Sequence, residues 1–427
     1  MWVRLRLDIG WDDLWFAFRQ TFRRRSAALL QQQLERYWSA ENEDALACLS
    51  VRSGFDLLLT ALELPPGTEI LFSAVTISDM PDIARAHDFT PVPVDILEPD
   101  GRLEINALLA AISPQSRVLV VSHLFGARPD LSEISQIARQ HQLLLVEDCA
   151  QAWFDPQWRG NNLAEISLFS FGTIKTATAL GGALCRIADS RLQQKMRSLQ
   201  AQYPLQNGRK YRSKIVKSAL LKLLSLRIFA ICLMQICRGT GQDIDALFSN
   251  LTRGFGEGEL LTQIRIRPGH ALLALLLLRL RTYSSQRLEI RRRNGLRLLR
   301  LLDAAPATCP HTYWLFPFMA FEVQQLRTKL LQQGFDTSRA GRLRVIRKPD
   351  NDHHHPCPRA TAFLKQVIFL PCYAELPPRD LDRLGHLIRS FTGVEAARTS
   401  CSGLSPRSTF RLTKDDSPSG GTQPMRE

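Results

Sequence analysis

The chain has 427 residues, 45% of them hydrophobic and 22% charged, which is the composition of a soluble globular protein rather than a disordered one. The formal net charge is +14, concentrated in short basic runs, but no zinc-finger, RNP or aromatic–basic signature accompanies them. We therefore predict no nucleic-acid partner and favour a phosphate-bearing ligand. Nine scattered cysteines without CxxC spacing, and no signal-peptide pattern in the first residues, predict reduced thiols and a cytoplasmic protein.

The chain begins with a tryptophan- and arginine-rich stretch, residues 1–44, predicted as an N-terminal helical segment. From about residue 45 to 190, short β-rich apolar runs alternate with amphipathic stretches. This alternation predicts a parallel sheet with crossover helices, the centre of a large domain at 45–284. The expected strands are 69–72, 91–95, 117–123, 143–147 and 181–187, and the expected helices are 56–62, 79–87, 104–111 and 131–141.

A hydrophobic and basic helical insertion is predicted at about 203–262. Within it, residues 215–237 are apolar on nearly all helical faces, but the longest uncharged run, 228–237, is too short to span a bilayer. Burial in the protein or at a subunit contact is favoured, and peripheral contact with a membrane surface is the second interpretation. The leucine-rich helix 271–280 is predicted to lie in the core or a dimer interface.

A smaller α+β domain is predicted at 285–395. Its strands are expected at 313–321 and 367–370, and its helices at 324–333 and 379–391. Residues 396–427 are dominated by Ser, Pro, Thr and Gly, which predicts a disordered tail.

Lys175 and Asp148 carry the strongest chemical signal. Lys175 lies between an apolar run that ends in Asp148 and a glycine pair at 181–182. Pyridoxal phosphate chemistry needs this combination, because a lysine amine forms a Schiff base with the cofactor and a carboxylate pairs with its pyridine nitrogen. Each residue alone has an ordinary interpretation, as a solvated lysine or a strand-end acid.

Further residues suit the same cofactor. Ser53 and Gly54 are expected to begin a helix whose free N–H groups bind phosphate, although a serine–glycine pair is more often only a cap. Ser170 offers a hydroxyl from the same predicted loop as Lys175, and Gln151 follows Asp148 closely enough to reach the same ring.

The order of these motifs resembles the DegT-like sugar aminotransferases, which have the aspartate-aminotransferase fold (fold type I) of pyridoxal phosphate enzymes. The resemblance is strong over residues 45–200 and thins to a general likeness over 262–393. It implies an α/β fold with a three-layer large domain around a mostly parallel sheet and a smaller α+β C-terminal domain. The matching segments are 53–54, 90–95, 121–126, 147–152, 169–175 and 181–183.

The resemblance also implies roles and partners. Lys175 would form the internal aldimine and move the proton, and Asp148 would hold the pyridine nitrogen. Gln151 would lie near the ring oxygen, Ser170 would bind the phosphate, and Gly54, beside Ser53, would supply a backbone donor. The expected protein is a homodimer with active sites at the subunit interface. It would transfer an amino group from an amino acid to a keto group on a sugar, free or nucleotide-linked, or a related metabolite.

Three positions depart from the family pattern. Phe55 replaces a threonine whose hydroxyl binds phosphate, and Ile77 replaces the aromatic ring that stacks on the cofactor. Arg265 replaces an asparagine that reaches the phosphate from the neighbouring subunit, a contact that arginine can make with a full charge. These departures keep two alternatives open: a non-catalytic or membrane-associated scaffold with this fold, and a pyridoxal phosphate lyase.

Other polar clusters rank lower. Three adjacent histidines at 353–355 cannot all face one ion from an ordinary loop, so a solvated loop is favoured and no metal site is predicted. His123, Tyr313 and Trp314 are interpreted either as pocket residues or as core.

Overall fold

The structure is a computed structural model that describes residues 1–4, 6–23, 26–39, 43–155, 157–226, 229, 259–346 and 357–392. The predictions for the histidines at 353–355, the tail at 396–427 and most of the apolar run 228–237 lie outside these residues. Within the described ranges, no helix combines the length and the apolar character needed to cross a bilayer.

A seven-stranded sheet forms the centre of the fold, with the order β1-β10-β9-β8-β7-β2-β4. All neighbouring strands are parallel except β10, which is antiparallel to both β1 and β9. The predicted parallel sheet is therefore confirmed. The strands are β1 (Ala45–Cys48), β2 (Glu69–Ser73), β4 (Thr90–Val94), β7 (Ser116–Ser122), β8 (Leu144–Asp148), β9 (Ile166–Ser170) and β10 (Ala183–Ile187).

Helices cover both faces of the sheet, because successive strand residues such as Leu145 and Val146 point to opposite sides and are both buried. One face packs against α3 (Val51–Leu62), α4 (Asp79–Ala86) and α7 (Ser190–Ala201). The other packs against α5 (Ile105–Ala111), α6 (Ser132–Gln140) and α10 (His270–Thr282). The result is the predicted three-layer α/β arrangement.

An outer group of helices lies on α10: α1 (Trp11–Gln20), α2 (Ala27–Ser39) and α8 (Gly208–Leu224). Nine residues of α10 are buried, which confirms the predicted core helix at 271–280. α8 buries Ile215 and Leu221 but exposes Val216 and Leu220, so burial accounts for only one side of the apolar stretch predicted there. The short helix α9 (Leu260–Ile264) precedes α10.

The C-terminal part is α+β, as predicted. β11 (Phe316–Met319) pairs with β13 (Val367–Leu370), while β12 (Leu343–Val345) pairs with β3 (Val75–Ile77) of the large part. A further hairpin joins β5 (Ile96–Leu97) to β6 (Arg102–Leu103). The helices are α11 (Ser285–Leu301), α12 (Val323–Gln332), α13 (Pro358–Gln366) and α14 (Pro378–Thr392). The domain boundaries remain predictions.

Two predicted elements need correction. The helix expected at 56–62 begins at Val51, because the Ser50 hydroxyl accepts a hydrogen bond from the Ser53 N–H and caps the helix there. Ser170 is the last residue of β9, a strand that was not predicted, rather than part of a loop shared with Lys175.

Candidate active site

The candidate site lies at the edge of the sheet where the parallel strands end. β7, β8 and β9 run in the same direction, so their carboxyl ends meet there, the usual place for a ligand in an open α/β sheet. A cavity of about 1000 Å³ opens at this edge. Its walls also include the N-terminus of α3, one side of α8 and residues 338–343 of the C-terminal part.

Lys175 is held in the loop that joins β9 to β10. The Lys175 N–H donates to the Gly172 carbonyl at 3.0 Å, and the Thr178 hydroxyl donates to the same carbonyl at 2.6 Å. The loop is closed where the Gly182 N–H donates to the Leu49 carbonyl at 2.8 Å. These bonds fix the backbone on both sides of the lysine, so its side chain enters the cavity from a defined position.

The Lys175 amine is in an environment that favours its neutral form. Its pKa is lowered to about 8. Burial is the main cause, the Arg52 charge acts in the same direction, and only the Asp148 carboxylate opposes the shift. The ammonium lies 4.1 Å from the centroid of the Trp314 ring, and the Trp314 indole donates to the Ile174 carbonyl at 3.1 Å. Among the described residues, Lys175 has no ion pair within 4.0 Å. The arrangement provides an amine that is a nucleophile near neutral pH.

Asp148 ends β8 and lines the same cavity. One carboxylate oxygen accepts a hydrogen bond from the Ala150 N–H at 2.9 Å. Burial raises the pKa of Asp148, whereas that hydrogen bond and the charges of Lys175 and His123 lower it. These neighbours favour the anionic form of the Asp148 carboxylate, which can accept a further hydrogen bond.

A buried polar network lies beside Asp148. The His123 Nε2 lies 2.8 Å from Glu147, whose other oxygen accepts from the Ser167 hydroxyl at 2.5 Å. Cys149 completes a group whose ligand-type atoms all lie within 4.8 Å, the spacing of a metal site. Burial raises the pKa of Cys149 well above its usual value, which keeps the thiol protonated, and Glu147 is already hydrogen-bonded. We therefore interpret the group as a support for the end of β8.

Three more of the predicted residues line the cavity: Gln151, Ser170 and Ile77. The Gln151 carbonyl oxygen accepts from the Phe125 N–H at 2.9 Å, which fixes the amide at the end of β7. Ile77 pairs with Leu343 across β3 and β12 and presents an aliphatic surface.

Ser53 and Gly54 lie one turn inside α3 rather than at its start. The Ser53 hydroxyl is 3.0 Å from that of Ser50, and the Gly54 N–H donates to the Ser50 carbonyl at 3.1 Å. Neither residue lines the cavity, so the prediction of Gly54 as a free backbone donor is wrong. Ser50, Val51 and Arg52 line it instead, and the first turn of a helix has N–H groups without intrahelical partners.

Within this chain Arg265 binds a carboxylate of α3, and its contact with the phosphate of the neighbouring subunit stays a prediction. Its guanidinium forms two hydrogen bonds of 3.0 Å with the carboxylate of Asp56, which is fully buried in α3. Within this chain the charge of Arg265 therefore neutralises Asp56 and does not enter the cavity. The sequence could not show this because Asp56 reads as an ordinary helix residue.

Sequence reasoning missed two cations of the site, Arg52 and Lys214. Arg52 follows the α3 cap and pairs with Asp79, and Lys214 extends from α8 towards Gly181. Burial lowers the pKa of Lys214 to about 8, and the Arg52 charge lowers it further. Lys214 has no ion pair among the described residues. The only signal in the sequence was the basic run at 209–214, which is also typical of a solvated helix face.

The residues fit pyridoxal phosphate on two structural grounds. A half-buried amine and a half-buried carboxylate share one cavity, as the cofactor's aldehyde and pyridine nitrogen require. In addition, the N–H groups at the start of α3, together with the charges of Arg52 and Lys214, suit a dianion.

The chain has the fold of the pyridoxal-phosphate-dependent transferases of fold type I. Its structure is similar to the aminotransferase TlmJ from Streptoalloteichus hindustanus, with a TM-score of 0.67 at 15% identity over 92% of this chain and 100% of that one. It is also similar to the Helicobacter pylori aminotransferase PseC, with a TM-score of 0.65 at 17% identity over 92% of this chain and 99% of that one.

The sequence comparison adds a match to a family over part of the chain. Residues 24–226 of the 427 match the model of the DegT/DnrJ/EryC1/StrS aminotransferase family. A UDP-N-acetyl-3-dehydro-α-D-glucosamine 3-aminotransferase of Acidithiobacillus ferrooxidans is 32% identical over 36% of this chain and 42% of its own length. A GDP-perosamine synthase of Caulobacter vibrioides is 31% identical over 37% and 43%. The match thus spans less than half the length of these relatives.

Proposed function

We propose that the protein is a pyridoxal-phosphate-dependent aminotransferase. It transfers an amino group from an amino acid to a keto group on a sugar, free or nucleotide-linked, or on a related small metabolite. The observation that carries the proposal is the presence of both Lys175 and Asp148 in one cavity at the edge of the sheet where the parallel strands end. The names of the two similar relatives, a UDP-N-acetyl-3-dehydro-α-D-glucosamine 3-aminotransferase and a GDP-perosamine synthase, support the acceptor class.

Lys175 and Asp148 divide the chemistry between them. When bound, pyridoxal phosphate withdraws electrons from the carbon that bears the substrate nitrogen. The negative charge of Asp148 would stabilise the protonated pyridine nitrogen. Lys175 would hold the cofactor covalently through Nζ and, as a neutral amine, would accept and return a proton. Trp314 covers the amine and limits the access of water.

The phosphate is assigned to the positive end of α3. The N–H groups of Val51 and Arg52 are at the helix start, and Ser170 lines the same cavity. Arg52 and Lys214 add two charges, which compensates for Phe55, whose ring is buried against Phe72 and offers no hydroxyl.

We further propose a cytoplasmic homodimer with its active sites at the subunit interface. Five cysteines of the described residues, Cys48, Cys149, Cys185, Cys309 and Cys372, are free thiols, which suits a reducing compartment. The dimer rests on the family resemblance. Arg265, whose side chain is 38% exposed beside Asp56, is the residue proposed to reach the phosphate of the partner subunit. Sedimentation velocity on the purified protein measures the oligomeric state.

Absorbance tests the proposal directly. Protein purified with added pyridoxal phosphate should show the visible band of the lysine-bound cofactor, and borohydride should abolish it. Lys175→Ala should lack the band, whereas Lys217→Ala, a matched substitution of an exposed lysine, should retain it. A colourless wild-type protein would contradict the proposal. Product analysis then separates transamination from a lyase reaction, because only transamination leaves the cofactor as its amine.

A further inference from the structure

Large apolar side chains are exposed on two neighbouring helices, α1 and α8. Trp11, Trp15 and Phe22 follow one side of α1 and the turn after it, and are 50%, 61% and 59% exposed. Val216 and Leu220, one turn apart on α8, are 55% and 49% exposed. We refer to these five side chains as the α1/α8 face. An apolar concentration of this kind on a protein surface marks an interaction site.

The two helices lie side by side in opposite directions. The Arg212 guanidinium lies 3.9 Å from the centroid of the Phe22 ring, and the Lys222 ammonium lies 5.7 Å from that of Trp11. Arg212 is near the start of α8 and Lys222 near its end, while Phe22 follows the end of α1 and Trp11 begins it. The aromatic side of α1 therefore borders α8 along its whole length.

The charges around the face are almost all positive. α8 contains six lysines and arginines and no acid, and the α1 side adds Arg19 and Arg23, which are exposed. Of the two acids of α1, Asp13 is paired with Arg279 at 2.7 Å, which leaves Asp12 as an exposed carboxylate.

This combination identifies the partner by its chemistry. Tryptophan and phenylalanine beside lysine and arginine are typical of surfaces that lie in the headgroup region of a membrane with anionic lipids. A second copy bound through a two-fold axis would place the same basic side chains opposite each other, which is unfavourable. We propose that the α1/α8 face docks the protein on a bilayer surface that contains anionic lipids.

Docking at this face would also orient the active site. α8 lines the cavity with Lys210, Tyr211 and Lys214, while Val216 and Leu220 belong to the docking face. A bilayer bound to α8 would therefore lie close to the cavity. The inference is independent of the transamination chemistry and can fail without affecting it.

Co-sedimentation with vesicles tests the docking face. The full-length protein should bind vesicles of phosphatidylglycerol and phosphatidylcholine, and its tryptophan emission should shift to the blue. Binding should weaken with salt and be absent with pure phosphatidylcholine.

The double variant Trp15→Ser/Phe22→Ser should bind vesicles with an affinity at least about tenfold lower, because two apolar side chains no longer enter the interface. Arg19→Gln with Lys217→Gln should also reduce it about tenfold, because two charges near the lipid are removed.

Matched controls carry the same changes elsewhere on the surface. Phe321, which is 97% exposed in the C-terminal part, is replaced by serine, and Arg300 and Arg379 are replaced together by glutamine. These variants should bind like the wild type. Unchanged binding of both docking-face variants would overturn the proposal. The proposal would also be overturned if the wild type did not bind vesicles and the Trp15→Ser/Phe22→Ser variant lost a dimer that the wild type forms. That result would make a second copy of the chain the partner of this face.

Discussion

At the scale of single residues, the chemistry depends on how Lys175 is kept reactive. Its pKa falls to about 8 chiefly because the side chain is buried, and the nearby Arg52 charge acts in the same direction. Asp148 opposes this shift and prevents a larger one. A lysine with an ordinary pKa would be almost entirely protonated at neutral pH and unable to attack an aldehyde.

The reactivity of the unliganded protein should follow this pKa. Below pH 8 Lys175 is mostly a protonated ammonium, and above it a neutral amine, so capture of pyridoxal phosphate should accelerate as the pH rises through about 8. At pH 7.5 the rate should exceed that expected for an ordinary lysine by about two orders of magnitude. Stopped-flow absorbance from pH 6 to 10 measures the profile. A midpoint near 10.5 would show that the amine is not buried as described.

Lys214 should distinguish the phosphorylated cofactor from its dephosphorylated form. Lys214→Met keeps the length of the side chain and removes a charge assigned to the phosphate. We expect the affinity for pyridoxal phosphate to fall about ten- to a hundredfold, since hydrogen bonds to charged groups are worth about 1.5–3 kcal/mol. The affinity for pyridoxal should be unchanged. Equilibrium dialysis measures both ligands, with Lys217→Met as the control. An equal loss for both ligands would argue against a phosphate contact.

The sequence grouped residues that the fold brings to one cavity, namely Lys175, Asp148, Gln151, Ser170 and Ile77. Their roles at a cofactor stay predictions. The sequence was less informative about which atoms are already bonded. It could not show that the Gly54 N–H is bonded within α3 or that Arg265 binds the buried carboxylate of Asp56, because three-dimensional contacts set both.

At the scale of secondary-structure elements, Gly54 brings α3 close to the sheet. A Cβ atom at Gly54 would lie 2.5 Å from the Cys185 Sγ, in the strand that pairs with β1 and β9. Glycine is required here for packing rather than for phosphate binding. The close approach sets the position of the first turn of α3, and therefore of the N–H groups at Val51 and Arg52.

Gly54→Ala should destabilise the fold and displace that first turn. The clash costs about 1–3 kcal/mol and outweighs the gain of up to about 1 kcal/mol from better helix propensity. Urea unfolding measures the effect, with Gly208→Ala as the control, because a Cβ at Gly208 has no contact closer than 4.0 Å. The double variant Gly54→Ala/Cys185→Ala lacks the clashing sulfur. Its loss in the free energy of unfolding should therefore be smaller than the sum of the losses in the two single variants. Strict additivity would contradict the packing role.

The strands that the sequence predicted are those buried on both faces, such as β7 and β8, where apolar runs are unbroken. β1 and β9 were missed for different reasons. β1 has only four residues, Ala45–Cys48, two of them alanine, and so carries little strand preference. In β9, Ser167 is buried as a hydrogen-bond partner of Glu147, which interrupts the apolar pattern for a reason invisible in the sequence.

At the scale of the whole molecule, the N-terminal segment joins distant parts of the chain. The Trp2 N–H donates to the Gly334 carbonyl at 2.8 Å, and Arg4 forms two side-chain hydrogen bonds, of 2.8 and 2.6 Å, with Asp336 in the C-terminal part. A few residues later, the Asp8 carboxylate accepts from the N–H of Ala177, two residues after Lys175, at 3.0 Å. The segment thus connects the C-terminal part to the loop of Lys175, a role that its composition alone did not indicate.

Asp8 is the test of this connection. Its carboxylate also accepts from the Tyr283 hydroxyl at 2.6 Å and lies 3.2 Å from the Arg287 guanidinium. Asp8→Ala leaves these donors and the Ala177 N–H without their acceptor, at a cost of about 2–4 kcal/mol in the free energy of unfolding.

One of the lost hydrogen bonds holds the Lys175 loop. The affinity of the Asp8→Ala variant for pyridoxal phosphate should therefore fall as well. Thermal unfolding and cofactor titration measure the two effects. Asp12→Ala removes an exposed carboxylate from the same segment and should alter stability by less than about 0.5 kcal/mol. A destabilised Asp8→Ala protein that binds the cofactor normally would show that the segment stabilises the fold without positioning the catalytic loop.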